Sequence, residues 1–284
     1  MDKIHIETDN KRLNCISVQN FPKLSKIDDN ISEVNNMLKV HEGKSIDIIV
    51  LPEMAFTGYK LKDEDMLKQL AEKQTKGLNF QAMKEIALKF NCYVFGGYPE
   101  KADEGYYNSM YCIDRKGALL LNYRKLFLYD FDKPYYLKGD GFKTCDIITL
   151  KGDTLKVAMC ICMDLNPEDF GDFYEFEFST FVRKEQADII IFSSNWLVGS
   201  NDDSILNYWL IRMAPLINNK NLKANFNLSK EDYKNCIFLC ANRTGYEDET
   251  RYIGSSCHIS LNPINLHKMC DRMDEAAIFS SIPY

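Results

Sequence analysis

The stretch KVAMCICMDLNPEDF, residues 156–170, joins an apolar run to a polar segment that contains a proline. The apolar half is typical of a buried strand, and the polar half is typical of a loop. Cys160 and Cys162 lie where the strand gives way to the loop, separated by one isoleucine. Thiols at such a corner can serve in packing, as metal ligands, as a redox pair or as a nucleophile, and this stretch alone leaves all four open.

Similar apolar runs recur along the chain and alternate with helical patterns. Because strands and helices interleave without a clean break in composition, we expect one layered α/β domain over residues 1–284. The polar segment 218–235 is long enough to be an insertion or a surface excursion of that domain. Strands are predicted at 13–20, 46–54, 92–100, 154–163, 188–197, 235–245 and 255–263, a hairpin at 107–128, and helices at 25–43, 80–91 and 203–217.

The overall charge and hydropathy exclude several classes of protein. The 284 residues carry a net charge of -6, which offers no basic surface for nucleic acid. No apolar run approaches the roughly 18 residues that a membrane-spanning helix needs. The stretch 1–15 lacks the apolar core of a secretory signal, so we expect a cytoplasmic protein whose ten cysteines stay reduced.

Three of the apolar strands end at or near a reactive polar residue, namely Glu53, Lys125 and Cys162. Strand ends commonly present chemistry to a crevice of the fold. A thiolate can act as nucleophile, a carboxylate as its base, and an ammonium can stabilise a developing oxyanion. Each residue alone is an ordinary residue at the edge of a loop, and spacing does not establish that they meet, so their joint role is a hypothesis.

Three segments resemble the signature motifs of the nitrilase, or carbon–nitrogen hydrolase, superfamily. They are LPEMAFTGY at 51–59, YRKLFLYD at 123–130 and CICMD at 160–164, and the likeness continues through SSNWL, YWLIRMAPL, ANRTG and YIGSSCHIS. The resemblance implies an α/β fold, a four-layer α-β-β-α sandwich, with Glu53, Lys125 and Cys162 as catalytic triad. It implies no metal and no organic cofactor. Members commonly dimerise, and the oligomeric state of this chain stays open.

The family motif also assigns roles around the nucleophile. Ile161-Cys162-Met163-Asp164 matches its register, so the backbone N–H of Met163 is expected to join Lys125 in holding the oxyanion. Cys160 lies two residues earlier, on the same strand face, and is expected either to pack or to support the residues around the nucleophile. Many members carry a second glutamate between the lysine and the cysteine. Its nearest counterpart here is the shorter Asp132, with Asp130 as a rival.

CICMDLNP, YWLIRMAPL and NRTGYEDETRYIGSS resemble the N-terminal amidase branch of the superfamily. That resemblance implies polypeptide substrates whose N-terminal asparagine or glutamine is deamidated through a thioester. The preference between these two residues stays open. The free α-amino group needs an acceptor, and Trp196 is expected either to wall the pocket or to pack in the core. The candidate acceptors are Glu247, Asp248 and Glu249, with Asp132 and Asp164 as rivals.

Two other functions compete with this interpretation. A small-molecule amidase, such as an ω-amidase or a carbamoylase, would use the same triad, and assays on peptides and free carboxamide acids discriminate the two. A catalytically silent scaffold is the alternative from another class. The presence of Glu53, Lys125 and Cys162 together argues against it.

Overall fold

A computed structural model describes residues 11–199, 204–218 and 233–284, which form two six-stranded sheets and a small two-stranded ribbon. The helices are α1 (Ile27–Leu38), α2 (Glu64–Leu70), α3 (Leu78–Phe90), α4 (Glu177–Glu185) and α5 (Ile205–Arg212). The strands are β1 (Arg12–Gln19), β2 (Ile48–Val50), β3 (Tyr93–Lys101), β4 (Tyr106–Ile113), β5 (Leu119–Arg124), β6 (Thr144–Ile148), β7 (Thr154–Ile161), β8 (Ile189–Ser194), β9 (Ile237–Asn242), β10 (Tyr246–Glu247), β11 (Thr250–Arg251), β12 (Cys257–Leu261), β13 (Ile264–Met269) and β14 (Ala276–Pro283).

The two large sheets share one plan. The first has the order β14-β1-β2-β3-β4-β5, and the second has the order β13-β12-β9-β8-β7-β6. In each sheet three central strands run parallel, β1-β2-β3 and β7-β8-β9, and antiparallel strands flank them. Parallel neighbours need a crossover connection, and helices supply it here. The carboxyl ends of the parallel strands of a sheet therefore meet at one edge, where ligands usually bind.

Alternation along β1 shows how the layers are built. Leu13 and Cys15 pack between the two sheets, whereas Ile16 and Val18 face the helices on the outside of the first sheet. Helices α1 and α3 cover that outer face, and α4 and α5 cover the outer face of the second sheet. Because the strands bury both faces, they read as nearly continuous apolar runs. The layers are helix, sheet, sheet and helix, which confirms the predicted α-β-β-α sandwich.

Several element bounds differ from those predicted. The apolar run 46–54 is a strand only at β2, because the chain turns after it, with Met54 and Gly58 at positive φ. The helix predicted at 25–43 ends at Leu38 and continues as a short 3-10 turn. Helices α2 and α4 and strands β6, β13 and β14 were not predicted. Most of the predicted excursion at 218–235 lies outside the described residues.

Candidate active site

Glu53, Lys125 and Cys162 are brought to the same edge of the two sheets. Glu53 follows β2 by three residues, Lys125 follows β5 directly, and Cys162 follows β7 directly. Glu53 and Lys125 are completely buried, and the Lys125 Nζ lies 2.7 Å from Glu53 Oε1. The charges of both residues act on the Cys162 thiol. The structure therefore assembles the three residues that the sequence only placed at separate strand ends.

Asp132 joins this cluster as a second carboxylate. Its Oδ2 lies 2.6 Å from Lys125 Nζ and accepts a hydrogen bond from the backbone N–H of Tyr129 at 3.0 Å. Asn108 on β4 donates from Nδ2 to both carboxylates, at 2.7 Å to Glu53 and 3.1 Å to Asp132. Two carboxylates and one ammonium thus form a buried cluster with one excess negative charge.

The rival Asp130 lies outside the cluster. It is exposed and pairs with Lys133 at 3.0 Å. Asn108, in contrast, is a residue of the cluster that the sequence analysis did not single out. The available signal was a polar residue inside the otherwise apolar strand YYNSMYCI, which is costly in a buried position unless it is hydrogen-bonded.

The protonation states of the cluster follow from burial and from its charges. Burial raises the pKa of Glu53, and the negative charge of Asp132 raises it further. Lys125 opposes both effects without reversing them. Burial alone would lower the pKa of Lys125, but Asp132 and Glu53 raise it well above its usual value. Burial and the Glu53 charge raise the pKa of the Cys162 thiol to about 12, although Lys125 lowers it. The resting site therefore holds a neutral thiol beside a lysine that stays protonated.

The backbone at Cys162 turns the thiol away from the strand direction. Cys162 has φ 43°, in the left-handed region that non-glycine residues seldom adopt, and it begins a 3-10 turn that ends at Leu165. Cys160 packs in the layer between the second sheet and its helices, whereas Cys162 packs against the core between the two sheets. The expectation that the two thiols share a face is wrong, because the strand ends at Ile161.

A cavity of about 140 Å³ opens on the Cys162 thiol. Met163 and Trp196 are among its lining residues, and none of its described lining residues is a carboxylate. A larger hollow of about 590 Å³ adjoins it and shares four lining residues, Asn166, Phe170, Trp196 and Leu197. The first cavity is smaller than the roughly 300 Å³ of ordinary small-molecule sites, so it accommodates a single side chain. Its lining is Tyr59, Tyr129, Cys162, Met163, Asn166, Phe170, Asn195, Trp196 and Leu197.

Glu247 lies outside this cavity, behind Tyr59. Its carboxylate accepts hydrogen bonds from the backbone N–H groups of Tyr59 and Lys60, the latter at 2.7 Å. It also accepts from the Tyr252 hydroxyl at 2.9 Å and from Arg243 Nη1 at 3.1 Å. Glu247 therefore supports the backbone at Tyr59 and does not face the cavity, where its contact with the substrate's amine was expected. The alternatives Asp248 and Glu249 are exposed and do not line the cavity.

Asp164 likewise supports the backbone and does not line the cavity. It is completely buried and accepts from the backbone N–H groups of Leu126 at 3.0 Å, Phe127 at 2.8 Å and Ile161 at 2.9 Å. The Tyr123 hydroxyl donates a fourth bond at 2.7 Å. With four donors on one carboxylate, Asp164 fixes the segment after Lys125 relative to the turn at Cys162, and it is not available to an amine.

Within the parts of the chain that the structure describes, no cluster of three or more histidine, cysteine, aspartate or glutamate side chains is arranged to hold a metal ion. In those same parts, no helix has the length and apolar character needed to cross a membrane.

Comparison with known proteins identifies the family. The model of the family described as "Carbon-nitrogen hydrolase" matches residues 17–170, more than half of the chain. The chain belongs to the carbon–nitrogen hydrolase family. This confirms the resemblance seen in the sequence, and the segment matched contains Glu53, Lys125 and Cys162.

Within the carbon–nitrogen hydrolase family, two yeast proteins are notably similar. The protein N-terminal amidase of Schizosaccharomyces pombe is 32% identical over 275 residues, which cover 86% of this chain and 90% of that protein. The protein N-terminal amidase of Saccharomyces cerevisiae is 33% identical over 205 residues, 65% of this chain and 45% of that protein. A crystal structure of an N-terminal amidase superposes with a TM-score of 0.85 at 23% identity, covering 96% of this chain and 98% of that one, which establishes the shared fold.

Proposed function

We propose that this protein is an amidohydrolase that deamidates N-terminal asparagine and glutamine residues of polypeptides, releasing ammonia. The observation that carries the hydrolase chemistry is the buried Glu53–Lys125–Asp132 cluster beside Cys162 at a cavity of about 140 Å³. The similarity to the fission yeast protein N-terminal amidase, which extends over 86% of the chain, supports the substrate class. A cavity of this size suits one carboxamide side chain.

The first step transfers the Cys162 proton to Glu53, and the sulfur attacks the carboxamide carbon. Burial is the chief cause that raises the pKa of both groups, so the ionised Glu53 is a stronger base than an ordinary carboxylate toward a thiol that otherwise keeps its proton. Proton transfer leaves the total charge of the site unchanged. Lys125, which stays protonated, compensates the negative charge wherever it lies in the cluster.

The attack places a negative charge on the former carbonyl oxygen. Lys125 Nζ and the backbone N–H of Met163 are proposed to stabilise this oxyanion. A donor of this kind contributes about 3–4 kcal/mol in other hydrolases. Asp132 and Glu53 hold the Lys125 ammonium at 2.6 and 2.7 Å, so little reorganisation is needed as the charge develops.

The carbon–nitrogen bond then breaks. Glu53 returns its proton to the leaving nitrogen, ammonia departs, and a thioester joins the substrate to Cys162. A water molecule that gives its proton to Glu53 attacks the thioester, and the thiolate leaves and recovers that proton. The products are the carboxylic acid and the free enzyme, and each group of the cluster returns to its starting state.

Mass spectrometry of peptides after incubation tests the proposal directly. We expect peptides that begin with asparagine or glutamine to be converted to the corresponding acids, and peptides with these residues at internal positions to stay unchanged. Free ω-carboxamide acids serve as the comparison. Faster hydrolysis of those acids than of any N-terminal peptide would favour the small-molecule amidase instead.

A further inference from the structure

Asn195 presents an unsatisfied carboxamide to the nucleophile's cavity. The residue is 1% exposed and lines the cavity beside Cys162. Neither Oδ1 nor Nδ2 has a hydrogen-bond partner among the described residues. Because a buried polar group without a partner is destabilising, its position on a cavity points to a ligand that completes it.

The backbone around Asn195 is held firmly, although its side chain is not bonded. The Asn195 N–H donates to Glu53 Oε2 at 2.8 Å, and the next N–H, of Trp196, donates to Asn242 Oδ1 at 2.9 Å. These bonds fix the segment where β8 ends. The carboxamide is therefore carried on a rigid element next to the proposed base, which is the arrangement that precise recognition requires.

The chemistry of the proposed substrate defines what Asn195 meets. In the proposed mechanism the scissile carboxamide already contacts Cys162, Lys125 and the Met163 N–H. The α-ammonium group remains, and it can only donate hydrogen bonds. No described lining residue is a carboxylate, and Asn166 Oδ1 already accepts from the Tyr208 hydroxyl at 2.5 Å.

Among the buried side chains that line the cavity, two acceptors have no partner among the described residues, Asn195 Oδ1 and the hydroxyl of Tyr59, which is 3% exposed. We propose that Asn195 is a specificity-determining residue that binds the substrate's α-ammonium group through Oδ1. This inference rests on the proposed function and deepens it.

Electrostatics explain why a neutral amide serves better here than a carboxylate. The neighbouring cluster of Glu53, Asp132 and Lys125 already carries one excess negative charge, which attracts an ammonium group without touching it. A third carboxylate next to Glu53 would disfavour the ionised base that the reaction needs. The aromatic residues Tyr59, Tyr129 and Trp196 also line the cavity, and a cation is favourable over the face of such a ring.

The test measures kcat/KM for two peptides on each enzyme variant. One peptide begins with asparagine, and its analogue carries hydrogen in place of the α-amino group. The ratio of the two values isolates recognition of the amine, because any damage to the chemical step affects both peptides. We expect wild type to prefer the free amine, and Asn195→Ala and Asn195→Leu to lower that preference by roughly 10- to 100-fold, as expected for a hydrogen bond to a charged group.

Matched variants separate recognition from folding. Asn79 is also buried, with Oδ1 unpartnered among the described residues, but it lies outside the cavity, so Asn79→Ala should keep the wild-type ratio. Asn195→Asp keeps an acceptor and should retain most of the preference. Asn195→Leu fills the space of the amide and provides the measurement if Asn195→Ala melts below the assay temperature.

Each outcome decides between the two proposals. A wild type that treats both peptides alike would overturn the N-terminal specificity itself. A wild type that prefers the free amine, with the preference intact in Asn195→Ala or Asn195→Leu, would overturn only the role of Asn195. Loss of the preference in Tyr59→Phe alone would assign the amine to the Tyr59 hydroxyl and would equally overturn it.

Discussion

Two buried carboxylates of this protein each meet a buried cation, yet their surroundings differ. Glu53 lies 2.7 Å from Lys125, and Glu247 lies 3.1 Å from Arg243. All four side chains are at most 5% exposed. Judged by burial and pairing alone, either pair could be a catalytic centre, because both have charges that the fold holds at a cost.

The groups around each ion pair distinguish the two pairs. Glu247 is bonded by two backbone N–H groups and the Tyr252 hydroxyl in addition to Arg243, which fills its acceptor sites and balances its charge. The Lys125 ammonium is shared with Asp132, and beside it lie a thiol and a cavity. A buried ion pair therefore marks a structural site when its carboxylate is fully hydrogen-bonded and its charge is balanced. Unbalanced charge beside unsatisfied groups on a cavity marks a site for chemistry.

The largest expected effect concerns the Cys162 thiol, which lies beside the Glu53–Lys125 pair and has no counterpart beside the Glu247–Arg243 pair. We expect Cys162→Ala to lower kcat on asparagine-leading peptides on the order of 10⁴-fold or more, as removal of a nucleophile does elsewhere. The matched control is Cys160→Ala, two residues earlier but packed in the helix-facing layer. It should retain most of the activity. An inactive Cys160→Ala beside an active Cys162→Ala would show that the nucleophile has been misassigned.

A smaller effect is expected when each cation is replaced by methionine. Lys125→Met should lower kcat by roughly 10²- to 10³-fold, because an oxyanion donor is lost. Arg243→Met should chiefly raise KM, through the loop that carries Tyr59, and leave kcat nearly unchanged. Urea denaturation should show both variants destabilised by about 3–5 kcal/mol, the usual effect of leaving a buried charge unpaired.

Together these two variants test whether the two clusters differ in function while resembling each other in stability. Equal losses of kcat in folded Lys125→Met and Arg243→Met would remove the distinction. A Lys125→Met enzyme with wild-type kcat would remove Lys125 from the mechanism, whatever its effect on stability.

The sequence allowed much of the fold to be predicted, for a physical reason. Strands buried on both faces appear as apolar runs, so β1, β7, β8 and β9 were recognisable. Strand β13 is mostly exposed and lacks such a run, and α4 carries several charged residues. Elements of this kind are defined by their partners in the fold more than by their own composition.

The residues of the site also differ in how readily the sequence reveals them. Glu53, Lys125 and Cys162 each follow an apolar run within a family motif, so they could be named from the sequence. Asn108 and Asn195 were not named, because only the tertiary register shows which asparagines reach the carboxylate cluster or the cavity. The placement of Glu247 depends on the backbone of Tyr59, which lies 188 residues earlier in the chain. No local pattern in the acidic segment records that contact.

The smallest expected effect is a displacement of the pH profile of kcat/KM, and it is expected only from changes to the Glu53–Lys125–Asp132 cluster. Because burial and Asp132 raise the pKa of Glu53, the acid limb of kcat/KM should lie above the ordinary range of a glutamate. Below that limb, kcat/KM should fall roughly tenfold per pH unit as the base is protonated. Removing the Asp132 charge in Asp132→Asn should move the limb to lower pH, since one cause of the raised pKa is gone.

The limb reports the coupled cluster and not Glu53 alone. Profiles of wild type, Asp132→Asn and the remote Arg243→Met provide the comparison. A limb that stays in place in Asp132→Asn, or moves equally in Arg243→Met, would show that the Asp132 charge does not control the pKa of the base.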